Sequence, residues 1–332
     1  MMAPTKLQPV RLGRYPTPVQ ALPTLSAPGS DLWVKRDDLS HEVYGGNKVR
    51  KLEYLLAEKR AAGKKRIVTV GAAGSHHVLA TSYFGRLAGF AVEAVLVPQP
   101  RTEHVVEVLR ASLALGMRPF PVRSWASVPL ALARRIADGA SVIPVGGSNV
   151  AGTMGYVDAA RELGVQIENG ALPEPDVCVV ALGSGGTAAG LAAGFAKLRL
   201  KTRVVGVCVS KPIALSRALA VHLARSSARR SGVDDLGDVR RHLTFDARFL
   251  GAGYGHATIA GEEATRDAAR AGIVLDPTYT AKAFAAALWH VRARRASRVL
   301  YWHTLSSAPI RPLMIGAVEE RMLGSDLRAL FV

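Results

Sequence analysis

The feature that most constrains this chain is a repeated alternation. Short, β-branched apolar runs are each followed by a turn and then by an Ala/Leu-rich stretch of helical period. Runs at 32–35, 67–70, 92–97, 142–145, 177–182, 204–209 and 299–302 read as strands. Helices are expected near 48–62, 75–88, 102–115, 126–138, 153–168, 187–198, 257–271 and 280–293. Strands that are apolar throughout and separated by helices predict parallel sheets covered on both faces, hence an α/β fold. In such folds ligands collect where strands end and helices begin, because turn amides and helix N-termini converge there.

At roughly 150 residues per domain, a chain of 332 residues predicts about two domains. The best linker signal is 169–175, NGALPEP, with a glycine and two prolines between a helix and a strand. Cys178 and Cys208 form no CxxC pair, which argues against a disulfide scaffold and a cysteine-rich zinc site and suits a reducing, cytoplasmic setting. The start of the chain is polar and proline-broken, unlike a secretory signal. The longest uncharged stretch, 177–196, is centred on Gly183-Ser184-Gly185-Gly186-Thr187, so it reads as strand, turn and helix rather than a membrane span.

The 43 Lys and Arg against 26 Asp and Glu leave a formal charge of +17, which raises nucleic-acid binding as a possibility. The charges are scattered, however, and the densest segment, 224–242, is interrupted by aspartates. Aromatics are only 6% and form no stacking platform. The expectation is a solvated, Arg-rich surface, no nucleic-acid partner and no membrane partner.

Three turns carry the chemistry. In the first, Gly45-Gly46-Asn47-Lys48, Asn47 is expected to cap a helix whose apolar face is Leu52, Leu55 and Leu56. Lys48 then falls in the first turn. At a positive helix end near other cations it should lose its proton more readily, as an amine nucleophile must. Lys51 projects on a neighbouring face. A surface lysine after a turn is the ordinary alternative. In the second turn, Gly71-Ala-Ala-Gly74-Ser75-His76-His77, Ser75 sits at a helix start, where it can be a plain cap or can bind a carboxylate. Adjacent His76 and His77 do not share a helix face as a metal pair would, so no metal is expected. The third turn, residues 183–187, offers a nest of amides plus hydroxyls that suits a phosphate. It also fits the relaxed dinucleotide pattern G-x-G-x-x-A, but the acidic residue expected about 20 positions on is missing. A distant alternative is therefore an NADP-dependent oxidoreductase.

Further stretches go with these turns: KRDDLS from Lys35, GGNKVRKLEYLLAE from Gly45, PVGGSNVAGTMGY from Pro144, GAGYG from Gly251 and LDPTYTAKA from Leu275. Together they resemble the D-cysteine desulfhydrase and 1-aminocyclopropane-1-carboxylate (ACC) deaminase branch of the pyridoxal-phosphate enzymes with the tryptophan synthase β-like fold. The resemblance spans most of the chain. It implies a large cofactor-binding domain of residues 1–50 plus 161–332, a small domain of residues 51–160, and a homodimer. By resemblance Lys48 carries pyridoxal phosphate, Gly183, Ser184, Gly185, Gly186 and Thr187 hold its phosphate, and Asn47, Lys51, Thr280 and Thr304 assist. Ser75, Tyr279 and Tyr254 would act on a small amino-acid substrate, although a buried tyrosine with a satisfied hydroxyl reads equally well for Tyr254.

ACC deaminases resemble one another in having Glu and Leu where this chain has Thr280 and Thr304, and desulfhydrase-like members have Thr at both. The implied reaction is therefore β-elimination from D-cysteine, with ACC opening or elimination from another β-substituted amino acid such as cysteate as alternatives. Two departures stand out. His76 replaces the family's Asn, and Leu305-Ser306 replaces Gly-Gly after Thr304.

Overall fold

The computed structural model describes residues 8–233 and 235–332; the amino-terminal start of the expected large domain and Asp234 lie outside them. The strands are β1 (Val19–Ala21), β2 (Asp31–Arg36), β3 (Arg66–Ala72), β4 (Ala91–Val97), β5 (Arg118–Pro121), β6 (Ser141–Val142), β7 (Val177–Leu182), β8 (Arg203–Cys208), β9 (Leu243–Asp246) and β10 (Arg298–His303). The helices are α1 (Asn47–Ala61), α2 (His76–Leu87), α3 (Glu103–Ala114), α4 (Val128–Ala137), α5 (Val150–Glu168), α6 (Gly186–Leu198), α7 (Ile213–Arg230), α8 (Leu236–Arg241), α9 (Ile259–Arg270), α10 (Thr280–Arg292) and α11 (Ser325–Arg328).

Two compact units result. One comprises Gly13–Lys51 and Ser148–Ala308 and holds a six-stranded sheet in the order β1-β2-β10-β7-β8-β9. Only β1 is antiparallel to its neighbour. Side chains alternate along each strand. Cys178, Val180 and Leu182 enter a core with α5, α6 and α7, while Val177 and Val179 enter a second core with α9 and α10. That is why β7 must be apolar at every position. The other unit comprises the described residues up to Leu12, Leu52–Gly147 and Pro309–Val332, around the parallel sheet β5-β4-β3-β6.

These bounds differ from the expected ones in three places, the first being that the described residues up to Leu12 go with the four-stranded unit and not with the large domain. Residue 160 falls inside α5, whose Tyr156, Ala159 and Ala160 belong to the core with α6, so the whole helix goes with the six-stranded unit. Residues 309–332 join the four-stranded unit, where Gln99 N donates to Leu330 O at 2.9 Å and Val332 N to Gln99 O at 3.2 Å.

The strands β1, β5 and β9 and helices α7, α8 and the four-residue α11 are absent from the sequence reading. β1 is three residues long, β5 contains two prolines, and the buried face of α7 is built largely from Ala220, Ala224, Ser227 and Ala228, which gives little apolar contrast. Conversely, the strand expected at 142–145 stops at Val142. Pro144 has no amide to donate, and Gly146 adopts φ 63°.

A buried polar network secures the entrance to α1. Asp37 is fully buried and accepts from Arg50 Nη2 at 2.8 Å, Tyr156 Oη at 2.7 Å, Trp302 Nε1 at 2.8 Å and Thr17 Oγ1 at 2.9 Å. Burial alone would raise its pKa, but the charge and hydrogen bonds of Arg50 reverse this and hold the carboxyl below its ordinary value. Arg50 also pairs with Glu162, which accepts from Lys35.

Candidate active site

The turn before α1 is shaped by close backbone approach. Gly46 has φ +91°, and a Cβ there would lie 2.6 Å from Thr304 O. Asn47 opens α1 instead of capping it: its amide donates to Thr304 O at 3.0 Å. Thr304 is thus tied to this turn through its carbonyl. Ser306, at one of the departures, accepts from Gly45 N at 3.0 Å and so braces the same turn.

From this start the side chains fan into one cluster. Lys48 Nζ donates to Asn47 Oδ1 at 3.0 Å, and Asn47 Nδ2 donates to Thr187 Oγ1 at 3.1 Å. Lys51 Nζ donates to Ser148 Oγ at 3.2 Å, and Ser148 Oγ shares a hydrogen bond with Ser184 Oγ at 2.7 Å while accepting from Gly186 N at 3.2 Å. Desolvation lowers the Lys48 pKa to about 8, against an opposing pull from the charge of Asp276. Burial drives Lys51 well below its ordinary value, and neighbouring Lys48 adds to the effect. Lys51 is 2% exposed. A buried lysine beside a second lysine is costly unless an anion joins them.

The loop 183–187 is built to receive such an anion. Gly185 caps α6 at φ +86°, where a Cβ would press on Ala220 at 3.0 Å. At Gly186 a Cβ would lie 2.6 Å from Ser148 Oγ and 3.1 Å from Lys51 Nζ. The donors that meet here are amides, hydroxyls and an ammonium at a helix N-terminus, the set that a phosphate monoester needs. The residues therefore fit pyridoxal phosphate, with an amine in the adjoining first turn of α1.

Tyr279 lies against the same loop, since a Cβ at Gly183 would be 3.1 Å from its Cε1. Its hydroxyl donates to Tyr254 at 3.0 Å. Asp276 accepts from the amides of Thr278, Tyr279 and Thr280 at 2.8–3.0 Å and thereby caps α10. The Thr280 hydroxyl lies 2.6 Å from Asp276 Oδ1 and accepts from Asp276 N at 2.7 Å, so it is committed to this turn. Lys282, fully buried, donates to the carbonyls of Leu250 and Gly253 at 2.9 and 2.7 Å and holds up the loop bearing Tyr254. Ser148, Asp276 and Lys282 were not among the expected site residues. Each lies inside a stretch that carries the resemblance, which was the available signal.

Ser75 and His76 belong to the four-stranded unit. Ser75 caps α2, accepting from Val78 N at 3.3 Å, and its hydroxyl proton remains for a ligand. His77 is buried with Nε2 3.0 Å from Thr69 Oγ1, whereas His76 Nε2 lies 2.9 Å from His104 Nε2. Among the described residues no group of three His, Cys, Asp or Glu could hold a metal ion. No helix among them is long and apolar enough to cross a membrane.

Comparison with known proteins matches residues 10–304 to the family described as pyridoxal-phosphate dependent enzyme. The chain belongs to that family. Its cofactor is pyridoxal phosphate, and its two mostly parallel, helix-flanked sheets are the family's fold. D-cysteine desulfhydrases of Salmonella paratyphi A and Salmonella newport are each 34% identical over 315 residues, covering 90% of this chain and 94% of theirs. A solved ACC deaminase homologue is 31% identical with a TM-score of 0.81, covering 93% of this chain and 97% of its own. A threonine deaminase of Solanum lycopersicum, 16% identical at a TM-score of 0.62, shares the fold.

Proposed function

We propose that this pyridoxal-phosphate enzyme is a lyase that acts on D-cysteine, releasing pyruvate, ammonia and hydrogen sulfide with one water consumed. The observation that carries the chemistry is the placement of the Lys48 amine, 3.0 Å from Asn47 Oδ1 and so beside the Asn47–Thr187 link to the glycine loop, where desolvation lowers its pKa to about 8. The desulfhydrase relatives support the substrate, as do Thr280 and Thr304 at the two positions that separate the branch's members.

Lys48 would hold the cofactor by its amine, and the loop 183–187 with Lys51 and Ser148 would hold its phosphate. Bound there, pyridoxal phosphate supplies an electron sink for a substrate carbon that gives up its proton. Once substrate occupies the site, the Lys48 amine would take the proton from Cα. With a pKa of about 8 its amine is available as a base far more often near neutrality than that of a solvated lysine. Burial keeps Tyr254 and Tyr279 protonated, so the pair donates hydrogen bonds and can deliver a proton to the leaving sulfur. By family resemblance Ser75 would take the substrate carboxylate, and His76 stands at the position where the family has an Asn beside the cofactor ring.

The test is product analysis on purified enzyme. Pyruvate and sulfide from D-cysteine, abolished by Lys48→Ala, support the reading. Release of 2-oxobutanoate from ACC would replace it with the deaminase alternative, toward which the ACC deaminase homologue points. A homodimer in the cytoplasm is the working form we infer from the resemblance, and the dimer is checked by the solution mass of the holoenzyme.

A further inference from the structure

Helices α7 and α8 form an open groove of about 500 Å3. Arg217, Val221, His222, Arg225 and Arg229 of α7 line it together with Arg240 of α8. We propose that this groove binds a soluble anion carrying two or more phosphate groups.

Positions 217, 221, 225 and 229 recur every four residues, so they share one helix face, and the arginines span roughly 18 Å of helix axis. Like charges at this spacing repel and destabilise a helix. Among the described residues no carboxylate pairs with Arg225, Arg229 or Arg240, whereas Arg241 next door is paired with Asp238 at 3.1 Å and Asp235 at 3.5 Å. The groove thus concentrates positive charge that no carboxylate among the described residues pairs with at Arg225, Arg229 or Arg240, although Arg241 one residue away is paired.

Arg217 makes this more than a solvated basic face. It is half-buried, its guanidinium carbon lies 5.6 Å from the Phe245 ring centroid, and its side chain is also held by the Cys208 thiol. An arginine fork held this way loses little freedom when it meets a phosphate, and guanidinium geometry matches phosphate oxygens in pairs. The lining carries no Phe, Tyr or Trp to form a stacking platform for successive nucleobases, which favours a compact phosphorylated solute over a nucleic-acid strand.

The experiment is calorimetric titration of the holoenzyme with inorganic tripolyphosphate at about 0.15 M salt, where screening suppresses diffuse charge effects. Saturable binding at one site per chain is expected. It should weaken at least about tenfold in Arg225→Ala/Arg229→Ala. It should be unchanged in Arg86→Ala/Arg123→Ala, which removes the same charge from exposed positions elsewhere. Absence of saturable binding, or equal weakening in both double variants, overturns the proposal. So does tighter binding of duplex DNA than of tripolyphosphate through the same arginines, which would make the groove a nucleic-acid surface.

Discussion

The Tyr279 hydroxyl donates to the Tyr254 hydroxyl at 3.0 Å, across rings inclined at 82°. Burial raises both phenols above their ordinary pKa. The hydrogen bond then separates them, easing Tyr254 downward and pushing Tyr279 further up. Tyr254, the acceptor, keeps its own proton; in the proposed reaction it would deliver that proton and Tyr279 would orient it.

Tyr254→Phe should therefore lower kcat on D-cysteine by about 100-fold, the scale of a lost proton donor, with KM little changed. Tyr279→Phe should lower it less, because the ring packing against Gly183 remains. Initial rates of pyruvate release check both. Full activity in the two variants together would remove the pair from the mechanism.

Lys51→Met separates cofactor binding from folding. It deletes a charged donor to the phosphate, worth about 1.5–3 kcal/mol, so cofactor affinity should fall about ten- to a hundredfold. The apoprotein should melt no lower than wild type, since the lysine's depressed pKa means that its burial opposes folding at neutral pH. Gly186→Ala should likewise weaken cofactor binding, because its Cβ displaces the Ser148 hydroxyl. Fluorescence titration of apoprotein measures both.

The pH profile of reconstitution reports on Lys48. Below its pKa the amine carries a proton and cannot attack a carbonyl, so the rate of cofactor capture should rise with pH through a midpoint near 8 and level off above it. Asp276→Asn removes the charge that raises this pKa, so the midpoint should move lower. A midpoint above that of wild type would contradict the coupling.

Asp37→Asn tests the network under α1. Removing one of the two carboxylates that pair with buried Arg50, with Glu162 as the remaining partner, should cost up to about 3–5 kcal/mol, read from the urea midpoint. Because the Asp37 carboxyl is held below its ordinary pKa, its contribution is complete at neutral pH. It is lost as pH falls below about 4 and through the lowered value.

Much of this was legible along the chain. The bounds of β7 and the start of α6 follow from an apolar run meeting a glycine loop, and the position of Lys48 in a first turn follows from Gly45-Gly46 before a leucine-periodic stretch. The short edge strands were not legible, because three or four half-exposed residues carry no periodicity. Nor was the role of Ser148, which meets Lys51 and Gly186 across 97 and 38 positions of chain.

The sequence by itself determined the α/β class, the strand–loop–helix cradle and the candidate lysine, since each rests on residues adjacent in the chain and on local backbone preference. Only the tertiary structure decided how those groups are tuned. The desolvation that brings Lys48 to about 8, the charge of Asp276 that limits it, the carbonyl grip of Lys282 under the Tyr254 loop and the joining of residues 309–332 to the four-stranded unit all depend on which distant segments pack together. Burial and Coulomb energies are set by three-dimensional neighbours, and no local pattern encodes them.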